Sequence, residues 1–480
     1  PRDLSDPTLT WDQLGNVPYR RVPLASPLPV STVAAGTVTL AAGATDGGPV
    51  AVATLPLFRG FPTLEIHAGS VRRRTVSLEG LDVVRLGHAA GASLFVVVTS
   101  DGLLAAYDDA TGDVVLGPTA VVKEGERVKG ADIFREGAAI LTEEHGVVLV
   151  EFLGGADRGR EARYCRAAPP EEDAGAAEGG SAGVFGVGPK ECPLKILGPH
   201  GIREGPTDEK TLGAALAELA LEEGEREGVV GLVTDLGLTA EHAVLSFYSY
   251  TTLAVLSGQH GPSARPSVYL ATSDHSVVIL SAASRTLTDV HCRHRLAHPI
   301  TMMSFCPNGR FLACFTSGSV LTVLSTSFET KVLDFDTSAG SSSPPKEMAW
   351  CGEDSVLLHW RNLGVLMVGP YGDWLRFPYP DASSLHILPE RDCARILTDS
   401  SSEVLQRVPP STASMLAMGS IDPGAMLLDA HDAFERGGAG GAAEEGARGV
   451  ARTGELAGAV ASCVAAATGK WDVGPGRRGC

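Results

Sequence analysis

Basic residues are scarce in this chain of 480 residues: 39 Lys and Arg face 57 Asp and Glu, a formal net charge of −18. The deficit argues against nucleic acid as a main partner, because binding a phosphate backbone needs clustered cations. The one compact basic run is Arg72-Arg73-Arg74. It reads as a solvated strand end or loop, with contact to a lipid or acidic partner as the sharper alternative; polybasic lipid sites gather about four to eight charges. Long apolar runs are missing as well, none approaching the ~18 residues of a membrane span, and the N-terminus does not read as a signal peptide. The first residue is Pro1 rather than Met, which leaves the true start open.

Paired cysteines are absent. Cysteines 165, 192, 292, 306, 314, 351, 393, 463 and 480 contain no CxxC. Their odd number and irregular spacing point to a reducing compartment. Asn16, Asn308 and Asn362 are the only asparagines, and none lies in a glycosylation sequon.

Catalytic signatures are missing too. The chain has no GxxxxGK[ST], no GxGxxG after a strand and no HExxH. Gly437–Gly441 follows a helical pattern rather than a strand, which rules out the usual phosphate cradle. His291, Cys292, His294, His298 and Cys306 gather metal-ligand types. Their spacing departs from C-x₂₋₄-C with H-x₃₋₅-H, and the interleaved Arg293 and Arg295 would repel a cation. The expectation is an exposed inter-blade loop without metal. No catalytic, cofactor-binding or metal-binding residue is assigned, no cofactor is expected, and no partner-binding residue is identified.

What the chain does have is a repeat between Pro299 and Pro410. ITMMSF (Ile300–Phe305) precedes Cys306-Pro307-Asn308-Gly309; FLACFT (Phe311–Thr316), a turn, VLTVLS (Val320–Ser325) and KVLDFD (Lys331–Asp336) follow. EMAW from Glu347, SVLLHW and VLMVG form a second copy; Leu385–Leu388, Ala394–Thr398 and Val404–Val408 form a third. Four short strands recurring about every 40–50 residues is the pattern of a β-propeller blade. Asn308-Gly309 suits a two-residue hairpin with positive φ at both positions. Trp350 and Trp360, at strand ends, read as core packing.

Weaker copies precede these. Val33–Leu40, Val50–Thr54, Leu64–His67 and Thr75–Leu78 fit a first blade, and Val83–Leu86, Leu94–Thr99, Gly102–Tyr107 and Val114–Leu116 another. Ala131–Phe134, Ala138–Thr142 and Val147–Phe152 give a further one. Ala243–Tyr250, Ser267–Thr272, Val277–Ser281 and Thr286–Val290 fit a fifth. With room for a degraded fourth blade, the count is about seven. Blades bury their faces only against neighbours, so the ring must close. Tyr19–Leu24 is expected to complete the last blade and remove an open sheet edge. The first strands Ile300–Phe305 and Glu347–Trp350 read as almost wholly apolar, giving no ring of polar groups for a propeller enzyme.

Between Gly154 and Gly231 the strand pattern dissolves. Ala167–Gly183 is acidic and low-complexity, the composition of a disordered loop. Thr207–Gly228 places Leu212, Leu216, Leu219 and Ala220 on one helical face, and the segment reads as an insertion in or beside the fourth blade. After Val408 the period changes to 3.6. Asp422-Pro423 fits N-cap and N1, with Met426, Ala430, Ala433 and Phe434 on one face. Glu455–Thr468 is a second weak helix, and Met426, Leu427 and Phe434 are expected to pack under the last blade. The expected organisation is a mainly β chain: a propeller of about seven blades over residues 1–410, with the insertion at about 154–231. The helical start of an α-solenoid follows over 411–480.

MSFCPNGRFLACFTSGSVLTVLSTSFETKVLDFDT, PKEMAWCGEDSVLLHW and SIDPGAMLLDAHDAFE, with the opening LTWDQLGNVPYRRVPL (Leu9–Leu24), resemble the vacuolar protein sorting-associated protein sixteen family. Correspondence is close from about Pro299 to Arg436, extends to Trp11–Phe152, and lapses in the Gly154–Gly231 segment. After Phe434 a Gly/Ala-rich stretch departs from the family's long helix, and the solenoid does not develop. The resemblance implies an N-terminal propeller, a following α-solenoid and no catalytic residues. It implies a non-enzymatic subunit of the class C tethering complexes HOPS and CORVET, acting in late endosome, lysosome or vacuole transport and supporting SNARE assembly. The implied partners are the other class C subunits, reached through the propeller, and an SM-family SNARE-assembling protein, reached through the distal solenoid and so not by this fragment. A cytoplasmic location, peripheral on those membranes, goes with it. Rival readings are a generic WD-type module and a propeller enzyme.

Overall fold

The structure, a computed structural model, describes residues 11–24, 37–44, 47–57, 60–152, 184–186, 195–198, 201–204, 231–236, 249–257, 265–282, 286–290, 296–341, 343–380, 382, 384–416, 420–435 and 441–471. Two compact units divide the chain. The smaller comprises Pro1–Leu24, Asp373–Leu375 and Glu403–Cys480, and the larger comprises Ala25–Gly372 and Arg376–Ser402.

Strands β1 (Trp11–Leu14) and β2 (Val17–Pro23) open the smaller unit. In the larger unit, β3 (Thr37–Gly43), β4 (Val50–Pro56), β5 (Thr63–Ala68) and β6 (Val71–Ser77) form an antiparallel meander. A second follows from β7 (Val83–Ala89), β8 (Leu94–Thr99), β9 (Leu103–Asp108) and β10 (Val114–Ala120). The third sheet contains β11 (Val128–Phe134), β12 (Gly137–Thr142) and β13 (Val147–Phe152). Strand β14 (Val184–Gly186) joins the fourth sheet, whereas β15 (Lys195–Gly198), β16 (Gly201–Glu204) and β17 (Gly231–Asp235) return to the third. The rest of the fourth is β18 (Tyr250–Leu256), β19 (Ser267–Thr272), β20 (Val277–Ser281) and β21 (Thr286–Val290). The fifth runs β22 (Ile300–Phe305), β23 (Phe311–Thr316), β24 (Val320–Ser325), β25 (Lys331–Asp336). The sixth runs β26 (Glu347–Cys351), β27 (Ser355–Trp360), β28 (Gly364–Val368), β29 (Trp374–Phe377). Strands β30 (Leu385–Pro389) and β31 (Cys393–Thr398) pair as the inner hairpin of the seventh.

The first strands, β3, β7, β11, β18, β22, β26 and β30, each lie beside the next, and β30 lies beside β3. The fold is a seven-bladed β-propeller. The sequence expectation of a separate degraded fourth blade does not hold among the described residues. The segment after Phe152 instead contributes strands to the third and fourth sheets: β17 pairs with β13, Phe152 opposite Gly231, and β14 pairs with β21. These short strands escaped sequence reading because three to five residues carry too little alternation to register. The Ala167–Gly183 loop and the Thr207–Gly228 helix lie outside the described residues.

Middle strands are continuously apolar because both of their faces are covered. In β8, Leu94, Val96 and Val98 join a core with Ala138, Ile140 and Val150 of the third blade. Their neighbours Phe95 and Val97 join another with Ala53, Leu64 and Ile66 of the first. Each such side chain contributes roughly 1.5–3 kcal/mol on burial. The outer strand β6 is exposed along nearly its whole length, and there the sequence turns to VRRRTVS.

A recurrent threonine closes the second hairpin of the blades. Thr99, Thr142, Thr272 and Thr316 each accept a backbone N–H four residues on, from Leu103, Gly146, Ser276 and Val320 at 2.9, 2.9, 3.2 and 3.3 Å. Thr398 makes the tighter version with Ser401 N at 2.8 Å. Three residues after the first four threonines the backbone enters the left-handed region, at Gly102, His145, His275 and Ser319. By contrast, the Asn308-Gly309 turn is not a two-residue hairpin. Gly309 alone has positive φ (68°), Gly309 N donates to Cys306 O, and Cys306 N donates to Phe311 O. One left-handed Gly after a tight turn gives the longer, bulged form of loop.

Within the smaller unit β2 pairs antiparallel with β32 (Ser402–Arg407), from Tyr19 opposite Arg407 to Pro23 opposite Glu403. An early strand thus joins the last one, as expected. Arg20 Nη2 donates to Gln406 Oε1 at 3.2 Å across that pair, and both residues are buried. Four helices follow: α1 (Pro410–Leu416), α2 (Pro423–Glu435), α3 (Gly441–Arg452) and α4 (Leu456–Trp471). Asp422 caps α2, its Oδ1 accepting from Gly424 N at 2.8 Å. Two helices more are present than the sequence period suggested. In α3 the run GAAEEGARGVAR holds three glycines, each unfavourable in a helix interior by ~1 kcal/mol, which hid it. The expected packing of Met426 and Phe434 is also revised, since Phe434 is 75% exposed and Met426 40%.

Candidate functional site

Polar groups on the innermost strands bind blade to blade. Arg85 Nη2 on β7 lies 3.7 Å from Asp132 Oδ1 on β11, and Asp132 Oδ2 accepts from Val255 N on β18 at 2.9 Å. Thr251 Oγ1 on β18 donates to Ile300 O on β22 at 2.8 Å. Trp350 Nε1 on β26 donates to Ser304 O on β22 at 3.0 Å. Glu347 at the head of β26 takes His386 Nδ1 at 2.7 Å and Ile387 N at 2.8 Å, both from β30. His386 Nε2 meets Thr39 Oγ1 on β3 at 2.8 Å. The first strands are almost wholly apolar, as the sequence suggested, and the few polar residues of β26 and β30 are committed to neighbouring blades. EMAW and LHIL each contain one polar residue, and it is that residue which makes the contact to the next blade.

Ring closure has a second clamp. Arg395 Nε donates to Glu390 Oε1 at 2.9 Å, in a pair whose side chains are 7% and 5% exposed. Both partners also hold the β3–β4 turn: Gly47 N donates to Glu390 Oε2 at 3.0 Å, and Arg395 Nη1 to Gly48 O at 3.3 Å. A buried ion pair survives desolvation only when its remaining hydrogen-bonding positions are satisfied, and this turn supplies them.

Electrostatics around these groups favours structure over chemistry. Burial opposes ionisation of Glu347, but the His386 and Ile387 hydrogen bonds and the nearby His386 and Lys346 charges together hold its carboxyl below the ordinary range. Burial pushes the Cys306 thiol up to about 11 and that of Cys351 up to about 12, so neither is a thiolate at neutral pH. Burial drives His359 down to about 4. No group of three or more His, Cys, Asp or Glu is placed to hold a metal among the described residues.

The residues singled out in the sequence are dispersed. Cys306 is buried in the fifth blade with its Sγ toward Glu353 O at 3.7 Å, and the ring of His298 crowds Gly318; His291, Cys292 and His294 lie outside the described residues. Arg72, Arg73 and Arg74 sit on β6, with Arg72 paired to Glu65 at 3.1 Å and Arg74 to Asp113 at 2.6 Å. Trp350 and Trp360 are 4% and 5% exposed core residues, as read from the sequence. Thr39, Asp132, His386, Glu390 and Arg395 went unnoticed. Each makes at least one contact to another blade far away in sequence, which local patterning does not reveal. No helix of the described residues is long and apolar enough to cross a membrane.

The larger unit is thus a propeller whose neighbouring blades are joined by polar side chains. Residues 256–474 match the family model described as Vps16, N-terminal region. Over 174 residues the chain is 42% identical to Protein VACUOLELESS1 of Arabidopsis thaliana, covering 36% of this chain and 19% of that protein. The probable vacuolar protein sorting-associated protein 16 homolog of Schizosaccharomyces pombe is 32% identical over 189 residues, 39% of this chain and 21% of its own length. Residues 256–474 are thus similar to the N-terminal region of the Vps16 family, and the chain's matches span about a fifth of these relatives' length. Among solved structures, the Cps50 (Swd1) β-propeller domain of Myceliophteria thermophila aligns with 78% of this chain and 98% of that one at 11% identity. The TM-score of that alignment is 0.46.

Proposed function

We propose that this chain is a non-enzymatic scaffold subunit of a class C vacuolar protein sorting tethering complex, of the HOPS and CORVET type. In that role it acts in endosome-to-vacuole or lysosome transport and supports SNARE-mediated fusion. The observation that carries the reading is the family match over residues 256–474, which covers the last propeller blades and all four helices. The relatives' names, VACUOLELESS1 and vacuolar protein sorting-associated protein 16, support the vacuolar role. The geometry supports a scaffold: polar side chains of the innermost strands are engaged blade to blade, and the buried thiols are protonated. A pre-formed disc offers partners a surface that needs little ordering on binding.

In this reading residues up to about 410 form the propeller that meets other class C subunits, and 411–480 begin a helical solenoid. An SM-family SNARE-assembling protein is a further partner of the full-length family member. The location is cytoplasmic, peripheral on late endosomal, lysosomal or vacuolar membranes. Deleting the gene in its own organism and following a vacuolar hydrolase tests the reading. Mis-sorted hydrolase and unfused late endosomes are expected; normal delivery would refute it.

A further inference from the structure

We propose that Thr75 on β6 is the phosphoacceptor of an arginine-directed protein kinase, a charge switch on the outer edge of the first blade. The run Arg72-Arg73-Arg74-Thr75-Val76 sets arginines three and two residues before a hydroxyl, with an apolar residue directly after it. Kinases of this class select substrates by such charge patterns, acidic groups of the substrate groove taking the arginines.

The fold presents this run in the form a kinase needs. A substrate is taken as an extended segment, and β6 is already extended, at the edge of the four-stranded sheet β3-β4-β5-β6. Residues Val71–Thr75 are exposed and Val76 is half-buried. Arg73 is the extra residue of a β-bulge, since Arg72 stands opposite His67 and Arg74 opposite Ile66. It has no ion-pair or hydrogen-bond partner among the described residues. Arg72 Nη1 donates to Glu65 Oε1 at 3.1 Å, a surface pair that contributes little and can be exchanged for a kinase carboxylate. The Thr75 hydroxyl makes no hydrogen bond among the described residues, so its proton is free to leave.

Ser77 also follows the arginines, but its surroundings differ. Its Oγ accepts from Glu79 N at 3.3 Å, and the next residue, Leu78, is fully buried with its N–H bonded to Pro62 O at 2.8 Å. A kinase would have to draw Leu78 out of the core to reach Ser77. At Thr75 it does not. In the transfer, Thr75 Oγ1 bonds the γ-phosphorus of magnesium ATP and the bond to the β–γ bridging oxygen breaks. ADP leaves with that electron pair, and the hydroxyl proton passes to the catalytic carboxylate of the kinase. The phosphate adds about −1.5 to −2 charges and three acceptor oxygens. Thr75 stands directly opposite Glu65, so the new group repels that carboxylate and competes with it for Arg72. A basic strip becomes nearly neutral.

Incubating the whole folded chain with magnesium ATP and the catalytic subunit of a cyclic-AMP-dependent kinase tests the site, with the product mapped by mass spectrometry. Phosphate on Thr75 is expected, and its loss in Thr75→Val. Arg72→Gln and Arg73→Gln should each slow the initial rate on the order of tenfold, whereas Arg74→Gln and Ser77→Ala should leave it within about twofold. All five side chains belong to exposed residues, so unchanged thermal midpoints will show that the fold persists. Absence of phosphate on the folded chain, or labelling only after heat unfolding, overturns the proposal. So does labelling that survives Thr75→Val, or a rate unaffected by both Arg72→Gln and Arg73→Gln.

Discussion

Thr39 and His386 stand 347 positions apart in the chain and 2.8 Å apart in the fold, where the first blade meets the last. The other ring nitrogen of His386 holds Glu347, so one imidazole ties three consecutive blades. His386→Ala leaves the Thr39 hydroxyl and one Glu347 oxygen without these bonds. The expected loss is about 2–4 kcal/mol, from a partly buried carboxylate stripped of a charged-type bond and a smaller hydroxyl term. Urea denaturation should show it, and a Thr39→Val/His386→Ala double-mutant cycle should give a non-zero coupling. Additive losses would contradict the bridge.

Arg395→Met strands Glu390 as a buried charge and should cost about 3–5 kcal/mol. Converting both partners together, as Glu390→Gln with Arg395→Met, should be milder than the single change. The denaturation midpoints of the two variants check this order directly.

Acid should weaken the fold through His359. Its folded value, about 4, lies below the ordinary ~6.5 of an unfolded histidine. The unfolded chain therefore binds more protons between those values, and stability is lost as pH falls from about 6.5 toward 4. His359 alone accounts for roughly 2–4 kcal/mol across that window. Burial lowers His67 and His145 in the same direction. Stability against pH should be flatter in His359→Gln than in the parent chain.

The threonine-closed turns make a finer prediction. Thr272→Val removes the acceptor for Ser276 N and should cost about 1 kcal/mol. Gly102→Ala should cost more, since φ is +78° there and the new Cβ would come within 2.6 Å of Val122. Thermal melts of the two variants, read side by side, test the ranking.

Strand identity was legible wherever a strand is covered on both faces, because LFVVVT, FLACFT and SVLLHW leave no choice but burial between blades. The closing strand was legible too, through the opening segment that pairs with β32. What escaped was non-local or too short. The partners of His386 lie in other blades, and β14 to β16 have three or four residues each. Helix α3 was masked by its glycines, and the exposure of Phe434 depends on neighbours that one helix's periodicity does not reveal.

Co-assembly with other class C subunits is the central expectation for this chain. A tagged form of the whole chain, purified from its own organism under low-salt conditions, should bring those subunits down at near-equal stoichiometry. His386→Ala should reduce the yield in proportion to its loss of folded protein. Recovery of the intact, folded propeller without any class C subunit would contradict the account.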